Sequence, residues 1–285
     1  MKFETLISVN ELQTQSGNKE WVIVDCRFSL DDTEYGRKAY LQAHIPGAVY
    51  AHLDEDLSGQ IIPGKTSRHP LPSIDEFVDK LSNWGIDENV QVVVYDDLSG
   101  AYAARLWWML RWLGHNAVAV LDGGWAAWQA AKFDTVSGEE GNQPRTFSPS
   151  LQDELAADAD KVLGVLLDPN YVVVDSRGPE RYRGDEEPID PVAGHIPGAV
   201  NLPYAGNVNE TGFKTPDELR GRFASLLEKH AAENLIFYCG SGVTAAHNAL
   251  AVLHAGLGEA KIYPGSWSEW ITDDSRPIKT GEEDA

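Results

Sequence analysis

Short apolar runs rich in β-branched residues alternate along the chain with longer segments that have a helical period. Residues 21–25 and 171–175 are runs of this kind that end in aspartate, and residues 92–94 and 235–237 form a second apolar pair. Strands that are apolar on both faces are typical of a parallel sheet covered by helices on both sides. The sequence therefore predicts an α/β fold with a mostly parallel sheet in each half.

Two helices are predicted from their N-terminal caps. Residues 73–84 open with Ser73, and Glu76 follows three residues later, which completes a capping box. Residues 215–230 open with the same arrangement and carry proline at the first helical position, where its missing N–H costs nothing. We expect both segments to be helical.

The chain repeats its own motifs, which predicts two tandem domains of one fold. The matched segments are 21–27 with 171–177, 43–49 with 194–200, 92–96 with 235–239, and 121–125 with 263–267. A polar stretch between the copies is rich in glycine, proline and serine and lacks any period, as linkers do. We predict an N-terminal domain at residues 1–140, a linker at 141–155, a C-terminal domain at 156–285, and disorder over residues 280–285.

The charge balance narrows the range of partners. The 285 residues include 23 Lys and Arg against 44 Asp and Glu, a formal net charge of −21, which argues against nucleic acid or an anionic membrane as a partner. No stretch approaches the ~20 apolar residues that cross a bilayer, and two cysteines cannot build a disulfide framework. We therefore expect a cytoplasmic protein.

Cys239 occupies the position with the clearest chemical meaning. It stands where the apolar run 235–237 stops and an alanine-rich helical segment begins, within the sequence Tyr-Cys-Gly-Ser-Gly-Val-Thr-Ala-Ala of residues 238–246. The glycines allow backbone N–H groups to turn toward the sulfur, and a helix N-terminus adds partial positive charge. Both effects lower a thiol pKa, so the loop predicts a nucleophilic thiolate.

The first copy provides an internal comparison, because Asp96 stands where the second copy has Cys239. Residues 97–100, Asp-Leu-Ser-Gly, lack a thiol and the paired glycines. A carboxylate would repel an anionic sulfur donor, so thiolate chemistry is expected only in the second copy. We expect the N-terminal domain to be catalytically inactive.

Two other anion-binding motifs do not fit the cysteine loop. A dinucleotide-binding loop requires a third glycine where Ala245 stands, and a Cys-x5-Arg phosphatase loop requires an arginine at the same position. A purely structural Cys239 is the simpler alternative, but the Gly-Ser-Gly turn argues against it. For Cys26, which no such turn follows, a structural role is favoured.

Other notable side chains have structural explanations. His44 and His195 lie in His-Ile-Pro-Gly-Ala turns of both copies, one of which lacks the thiol, so a role in the turn is expected. Asp54 and His69 lie in a loop-rich region, where a polar surface is the simpler explanation and a proton relay the alternative. The tryptophans with i, i+3 spacing are expected in the two cores: Trp125, Trp128, Trp267 and Trp270.

Arg181 has two explanations of equal weight. It follows the first strand of the second copy, and parallel sheets bind ligands beyond the carboxyl ends of their strands. A guanidinium in that place suits a substrate carboxylate. Nearby acidic residues make a solvated surface ion pair the alternative.

Taken together, these motifs resemble the tandem-domain rhodanese-like sulfurtransferases over essentially the whole chain. The resemblance rests on the duplicated Val-Asp-x-Arg and His-Ile-Pro-Gly-Ala motifs, on Asp96 at the first cysteine position, and on the loop Cys-Gly-Ser-Gly-Val-Thr at residues 239–244. It also includes Gly-Ser-Trp-Ser-Glu-Trp at residues 265–270. The loop is similar to that of 3-mercaptopyruvate sulfurtransferases, whereas members that use thiosulfate carry two basic residues after the cysteine.

The resemblance implies a site as well as an activity. Sulfur would pass from 3-mercaptopyruvate through a persulfide on Cys239 to a thiol, a thioredoxin-like protein or cyanide, with release of pyruvate and without a cofactor or metal. It implies Arg181 as the substrate arginine, and a relay in which Asp54 orients His69 and His69 acts on Ser241. The loop residues implied in binding the sulfur anion are Gly240, Gly242, Val243 and Thr244.

The sequence departs from the family pattern at one point. Mercaptopyruvate members carry a second arginine shortly before the second His-Ile-Pro-Gly turn, whereas residues 188–193 have none. Arg183 and Arg105 are the candidates to replace it. Three alternative functions stay open: a thiosulfate sulfurtransferase, a non-catalytic binding protein, and a redox sensor that uses Cys239 with Cys26.

Overall fold

The computed structural model describes residues 2–283, which divide into two compact units. The first unit comprises Met1–Gly59, Leu71–Gln152 and Glu210–Phe213, and the second comprises Gln60–Pro70, Asp153–Asn209 and Lys214–Ala285. A loop of the first sequence repeat, Gln60–Pro70, thus belongs to the second unit.

The first unit contains a five-stranded sheet. Its strands are β1 (Leu6–Ile7), β2 (Trp21–Asp25), β3 (Ala48–Tyr50), β4 (Gln91–Tyr95) and β5 (Val118–Leu121), and its helices are α1 (Val9–Gln13), α2 (Tyr35–Gln42), α3 (Ile74–Asn83), α4 (Ala103–Trp112) and α5 (Gly124–Ala130). The strand order is β1-β5-β4-β2-β3, and every neighbouring pair is parallel. All of β4 is buried, which explains why it is apolar on both faces.

The second unit contains a four-stranded sheet. Its helices are α6 (Ala159–Val165), α7 (Pro179–Arg183), α8 (Pro216–Leu227), α9 (Ala245–His254) and α10 (Ser266–Trp270), and the strands of this half of the chain are β6 (Val172–Asp175), β7 (Val200–Asn201), β8 (Val208–Asn209), β9 (Gly212–Phe213), β10 (Leu235–Tyr238) and β11 (Lys261–Ile262). The order β11-β10-β6-β7 is parallel throughout and repeats the order β5-β4-β2-β3 of the first unit. The predicted α/β fold in two copies is confirmed.

The helix starts follow the predicted caps. At α3 the Ser73 hydroxyl accepts from the N–H of Glu76, and the Glu76 carboxylate accepts from the N–H of Ser73. Thr215 and Glu218 form the same reciprocal pair at α8. These side chains satisfy N–H groups that have no partner inside the helix. The second helix ends at Leu227, earlier than the sequence predicts.

The Val-Asp-x-Arg motif forms the same buried ion pair in both units. Arg27 lies 2.6 Å from Asp25, and Arg177 lies 2.6 Å from Asp175. All four side chains are almost completely buried. Loss of one partner would leave a buried charge unpaired, which is costly, so the motif has a structural role at the end of a central strand in each unit.

The histidine turns and the tryptophans are structural, as predicted. His44 lies 3.2 Å from Glu140, and His195 repeats this contact with Glu283 at 3.1 Å. The other ring nitrogen of each histidine lies 2.7 Å from a backbone carbonyl oxygen. The tryptophans of the two cores are at most 7% exposed: Trp125, Trp128, Trp267 and Trp270.

The expectation of disorder at the C-terminus is wrong for residues 280–283. The N–H of Gly281 donates to the carbonyl of Arg183 at 2.8 Å. The Glu283 carboxylate accepts from the N–H of Gly198 at 2.6 Å. These bonds hold the segment against the end of α7 and the second histidine turn. Residues 284–285 lie outside the described residues.

Candidate active site

Cys239 lies between the end of β10 at Tyr238 and the start of α9 at Ala245. This is the strand-to-helix turn that the sequence predicts. Gly242 has a φ of +79°, and a Cβ at this position would lie 2.1 Å from the carbonyl oxygen of Pro264. Only glycine fits both the left-handed conformation and the close approach. The turn therefore depends on the second glycine of the motif.

The loop stabilises the thiolate form of Cys239. Burial, which leaves the residue 2% exposed, would raise the thiol pKa. The pKa is nevertheless lowered, because the Thr244 hydroxyl and the N–H groups of Ser241, Ala245 and Gly242 donate to the sulfur. Ala245 is an addition to the loop donors, residues 240–244, that the sequence predicts, and the roles of Gly240 and Val243 toward a transferred sulfur stay predictions.

We expect the alkylation rate of Cys239 to reflect this lowered pKa. The rate with iodoacetamide should rise with pH and reach its plateau with a midpoint below about 8.5, the value of a free thiol, because only the thiolate reacts. Thr244→Val removes one donor at nearly constant shape and should move the midpoint upward. Stopped-time alkylation followed by mass spectrometry measures both. A midpoint at or above that of a free thiol would contradict the electrostatic account.

Ser266 fixes the backbone of the nucleophile from α10. Its hydroxyl accepts from the N–H of Cys239 at 3.0 Å and donates to the carbonyl of Tyr263 at 2.9 Å. Ser266 has a φ of +54°, the same value as Gly124 at the matching position of the first unit. A non-glycine residue in this conformation is strained, and here it supplies a hydroxyl to the cysteine backbone. Sequence reasoning missed this residue.

Asp96 sits inside the equivalent loop of the first unit. Its carboxylate accepts four backbone N–H groups at 2.8 Å each, from Leu98, Gly100, Tyr102 and Ala103. The first copy therefore keeps a loop that binds an anion, and its own side chain occupies that loop. The lack of thiolate chemistry in the first copy stays a prediction.

The structure brings His69 to the cysteine loop. Its Nδ1 lies 2.7 Å from the Ser241 hydroxyl, and both residues belong to the second unit because residues 60–70 pack there. Both are almost fully buried, at 5% exposure. Asp54, the third member of the predicted relay, belongs to the first unit, where its N–H donates to Nδ1 of His52. Its role in the relay stays a prediction.

Two guanidinium groups lie against the first glycine of the loop. A Cβ on Gly240 would lie 2.8 Å from Nη2 of Arg68 and 3.5 Å from both terminal nitrogens of Arg181. Arg181 was predicted, whereas Arg68 was missed. The N–H of Arg68 donates to the Ser268 hydroxyl at 3.1 Å, and the N–H of Ser268 donates to the Gly240 carbonyl at 2.9 Å. One serine thus ties the segment of Arg68 to the loop.

The arginines named as candidates for the missing second cation have other partners. Arg105 belongs to the first unit and donates to the carbonyl of Leu57 at 2.8 and 3.1 Å. Arg183 pairs with the exposed Asp185 at 2.7 Å. Arg68 is the arginine that the structure puts beside Arg181, and its adjacency to His69 in the sequence is the only local hint.

Cys26 has no comparable activation. It is 1% exposed, and burial, followed by the negative charges of Asp25 and Asp96, raises its pKa well above the ordinary value. A thiol in this state is a poor nucleophile. The predicted structural role agrees with these surroundings.

One group of side chains has the composition of a metal site. Glu34, His52 and Glu55 bring one ligand atom each within 4.8 Å of one another. However, Nδ1 of His52 accepts from the N–H groups of Asp54 and Glu55, and its Nε2 lies 3.0 Å from the carbonyl of Thr33. The imidazole has no lone pair left for a metal.

Comparison with known families identifies both halves of the chain. The rhodanese-like domain family matches residues 8–131 and 158–273. The chain belongs to this family. The two matched regions show that the rhodanese-like fold is present twice. The loop position that holds Cys239 in the second copy holds Asp96 in the first.

Named relatives of this rhodanese-like chain are sulfurtransferases. A probable 3-mercaptopyruvate sulfurtransferase of Pseudomonas aeruginosa is 44% identical over 99% of this chain and 100% of its own. Thiosulfate sulfurtransferase of Rattus norvegicus is 37% identical over 87% of this chain and 84% of its own. The solved structure of 3-mercaptopyruvate sulfurtransferase from Leishmania major has a TM-score of 0.83 and 32% identity, and the match covers 96% of this chain and 76% of that one.

The similarity to these relatives shows that the chain is a sulfurtransferase, an enzyme that acts with a sulfur donor and an acceptor. The names of the relatives include two different donors, 3-mercaptopyruvate and thiosulfate, so the similarity does not determine which donor this chain uses. None of the described helices is both long and apolar enough to cross a membrane.

Proposed function

We propose that the chain transfers sulfur from 3-mercaptopyruvate through a persulfide on Cys239. The thiolate attacks the donor's sulfur atom, an S–S bond forms, and the C–S bond breaks. The electron pair of the broken bond leaves with the carbon as the enolate of pyruvate, which then takes up a proton at carbon. A thiol, a thioredoxin-like protein or cyanide attacks the outer sulfur and regenerates the thiolate, which is a ping-pong cycle.

The observation that carries this proposal is the pair of guanidinium groups beside Gly240, next to a lowered-pKa thiol. A guanidinium presents N–H donors in a planar fork that matches a carboxylate. The loop itself carries no Lys or Arg from Gly240 to Ala246. A donor with a carboxylate at one end and sulfur at the other suits a site in which the arginines carry the positive charge and the cysteine loop carries no Lys or Arg.

His69 and Ser241 are proposed to supply the proton that the enolate needs. Their short contact makes the serine hydroxyl a proton carrier between the imidazole and the product carbon. Asp54 is retained as the residue that orients His69. N–H groups of the loop, Gly240, Gly242, Val243 and Thr244 included, would hold the outer sulfur of the persulfide as an anion.

Several organisational expectations are kept as proposals. We keep the N-terminal domain of residues 1–140 as catalytically inactive, the linker at 141–155, and the catalytic domain at 156–285. We also keep the cytoplasmic location. The non-catalytic alternative predicts that Cys239→Ser changes no activity of the protein, and the redox-sensor alternative predicts a disulfide between Cys239 and Cys26.

The test compares the two donors with cyanide as the acceptor. We expect pyruvate release from 3-mercaptopyruvate, and a gain of one sulfur atom on Cys239 when the acceptor is omitted. The value of kcat/KM should be higher with 3-mercaptopyruvate than with thiosulfate. A tenfold advantage of thiosulfate, about 1.4 kcal/mol, would favour the second candidate, which the name of the rat relative supports. Absence of the sulfur adduct with both donors would contradict either activity.

A further inference from the structure

Asp190 is a buried carboxylate that joins the two arginines of the site. Its Oδ1 accepts from Nε of Arg68 at 2.9 Å, and its Oδ2 accepts from Nη2 of Arg68 at 3.3 Å and from Nη2 of Arg181 at 3.1 Å. The Asp190 side chain is 1% exposed, whereas those of Arg68 and Arg181 are 29% and 20% exposed. The anion is therefore fixed inside the protein, and the two cations reach from it toward solvent and Gly240.

Glu187 is the second carboxylate that pairs with Arg181. Its carboxylate accepts from Nε of Arg181 at 3.1 Å and from Nη2 at 2.7 Å, and it also accepts from the N–H groups of Ile189 and Asp190. Burial would raise the pKa of Glu187, but the hydrogen bond from Arg181 and these N–H groups lower it. Glu187 therefore carries its charge at neutral pH.

The formal charges of this cluster cancel before any donor binds. Two guanidinium groups, Arg68 and Arg181, face two carboxylates, Glu187 and Asp190. Both arginines donate to the carboxylates from Nε and Nη2, and Nη2 of Arg68 and both terminal nitrogens of Arg181 also lie near Gly240. The cluster thus offers oriented N–H donors with little excess positive charge.

We propose that Asp190 is a specificity-determining residue that selects a singly charged carboxylate donor over a dianion such as thiosulfate. The inference rests on the proposed function, because it concerns which donor reaches Cys239. Repulsion from the fixed carboxylate scales with the charge of the ligand, so a dianion is penalised about twice as much as a monoanion at the same place. The terminal N–H groups of the two arginines beside Gly240 supply the hydrogen bonds that a carboxylate needs.

Under the proposed function, this cluster accounts for a site that has two arginines and yet prefers 3-mercaptopyruvate to thiosulfate. Two uncompensated guanidinium groups would attract a compact dianion more strongly than a monoanion. Asp190 contacts both guanidinium groups at once, so removal of its charge acts on both. Glu187 contacts Arg181 and the structural Arg177, which makes it a less specific position to test.

The test is Asp190→Asn, with kcat/KM measured for 3-mercaptopyruvate and for thiosulfate in the full-length enzyme. We expect the ratio of the two values to fall at least fivefold, with KM for thiosulfate decreasing. The matched control is Asp185→Asn, which removes the same formal charge from a nearby exposed residue that pairs with Arg183. The control should keep the ratio within twofold.

A second variant changes the charge in the opposite direction. Arg68→Gln leaves a net negative cluster, so both donors should lose kcat/KM and thiosulfate should lose more, which raises the ratio at least fivefold. Arg68 is partly exposed, so this variant tests the proposal even where Asp190→Asn fails to fold. Smaller changes, changes of the opposite sign, or an equal effect of Asp185→Asn would overturn the inference. Absence of pyruvate release and of the Cys239 sulfur adduct in the wild type would instead overturn the proposed function.

Discussion

Cys239→Ser is expected to lower turnover with every sulfur donor by a factor on the order of 10⁴ or more, the scale seen when a nucleophile is removed. A serine hydroxyl at this position stays protonated at neutral pH and cannot form a persulfide. The loop that lowers the pKa of the thiol would not ionise an alcohol. Steady-state kinetics with cyanide as the acceptor, together with intact-protein mass spectrometry after donor treatment, measures the effect.

The control for this variant is Cys26→Ala, which removes the other thiol. Cys26 is buried with a raised pKa, so this change should cost some stability and leave kcat per folded molecule within about twofold. The gain of one sulfur atom should persist in Cys26→Ala and vanish in Cys239→Ser. A persulfide that survives in Cys239→Ser would remove Cys239 from the mechanism.

His69→Ala is expected to separate the two donors. Pyruvate leaves as an enolate that needs a proton at carbon, whereas thiosulfate releases sulfite, which needs none. Loss of a general acid commonly costs about 10²–10⁴ in rate. We therefore expect kcat with 3-mercaptopyruvate to fall at least about a hundredfold, and kcat with thiosulfate to change far less.

Ser241→Ala is the matched variant, because it removes the hydroxyl that His69 contacts at 2.7 Å. If the two residues act as one relay, the double variant should be little worse than either single variant. The comparison is made by single-turnover kinetics with each donor, after thermal unfolding has established that the variants are folded. Equal losses with both donors would argue for a structural role of the pair.

Local signals in the sequence were sufficient to predict several parts of the molecule. The capping boxes at Ser73 and Thr215 involve partners three residues apart, so the chain itself contains all of their atoms. The cysteine loop is equally local, because the donors to the sulfur lie within residues 241–245. The internal repeat exposed the contrast between Asp96 and Cys239 without any structure.

Other parts depend on contacts between residues far apart in the chain. Arg68 and Asp190 are 122 residues apart, and His69 and Ser241 are 172 residues apart. A long-range ion pair has no periodicity and no fixed spacing, so the sequence around the second histidine turn gives no sign of Arg68. The C-terminal residues 280–283 were mispredicted for the same reason, since their partners lie near residues 183 and 198.

Residues that are close together in the chain specify the duplicated α/β fold, the cysteine loop of the second copy and the lack of that cysteine in the first, because periodicity, caps and glycine turns act over a few residues. Which cations reach the loop, and which carboxylates compensate their charge, depends on contacts that form when the chain folds. Folding carries residues 60–70 into the second unit, and charge pairing there is set by distance in space. Arg68, the second arginine of the site, could therefore be identified only from its position beside Gly240 in the structure.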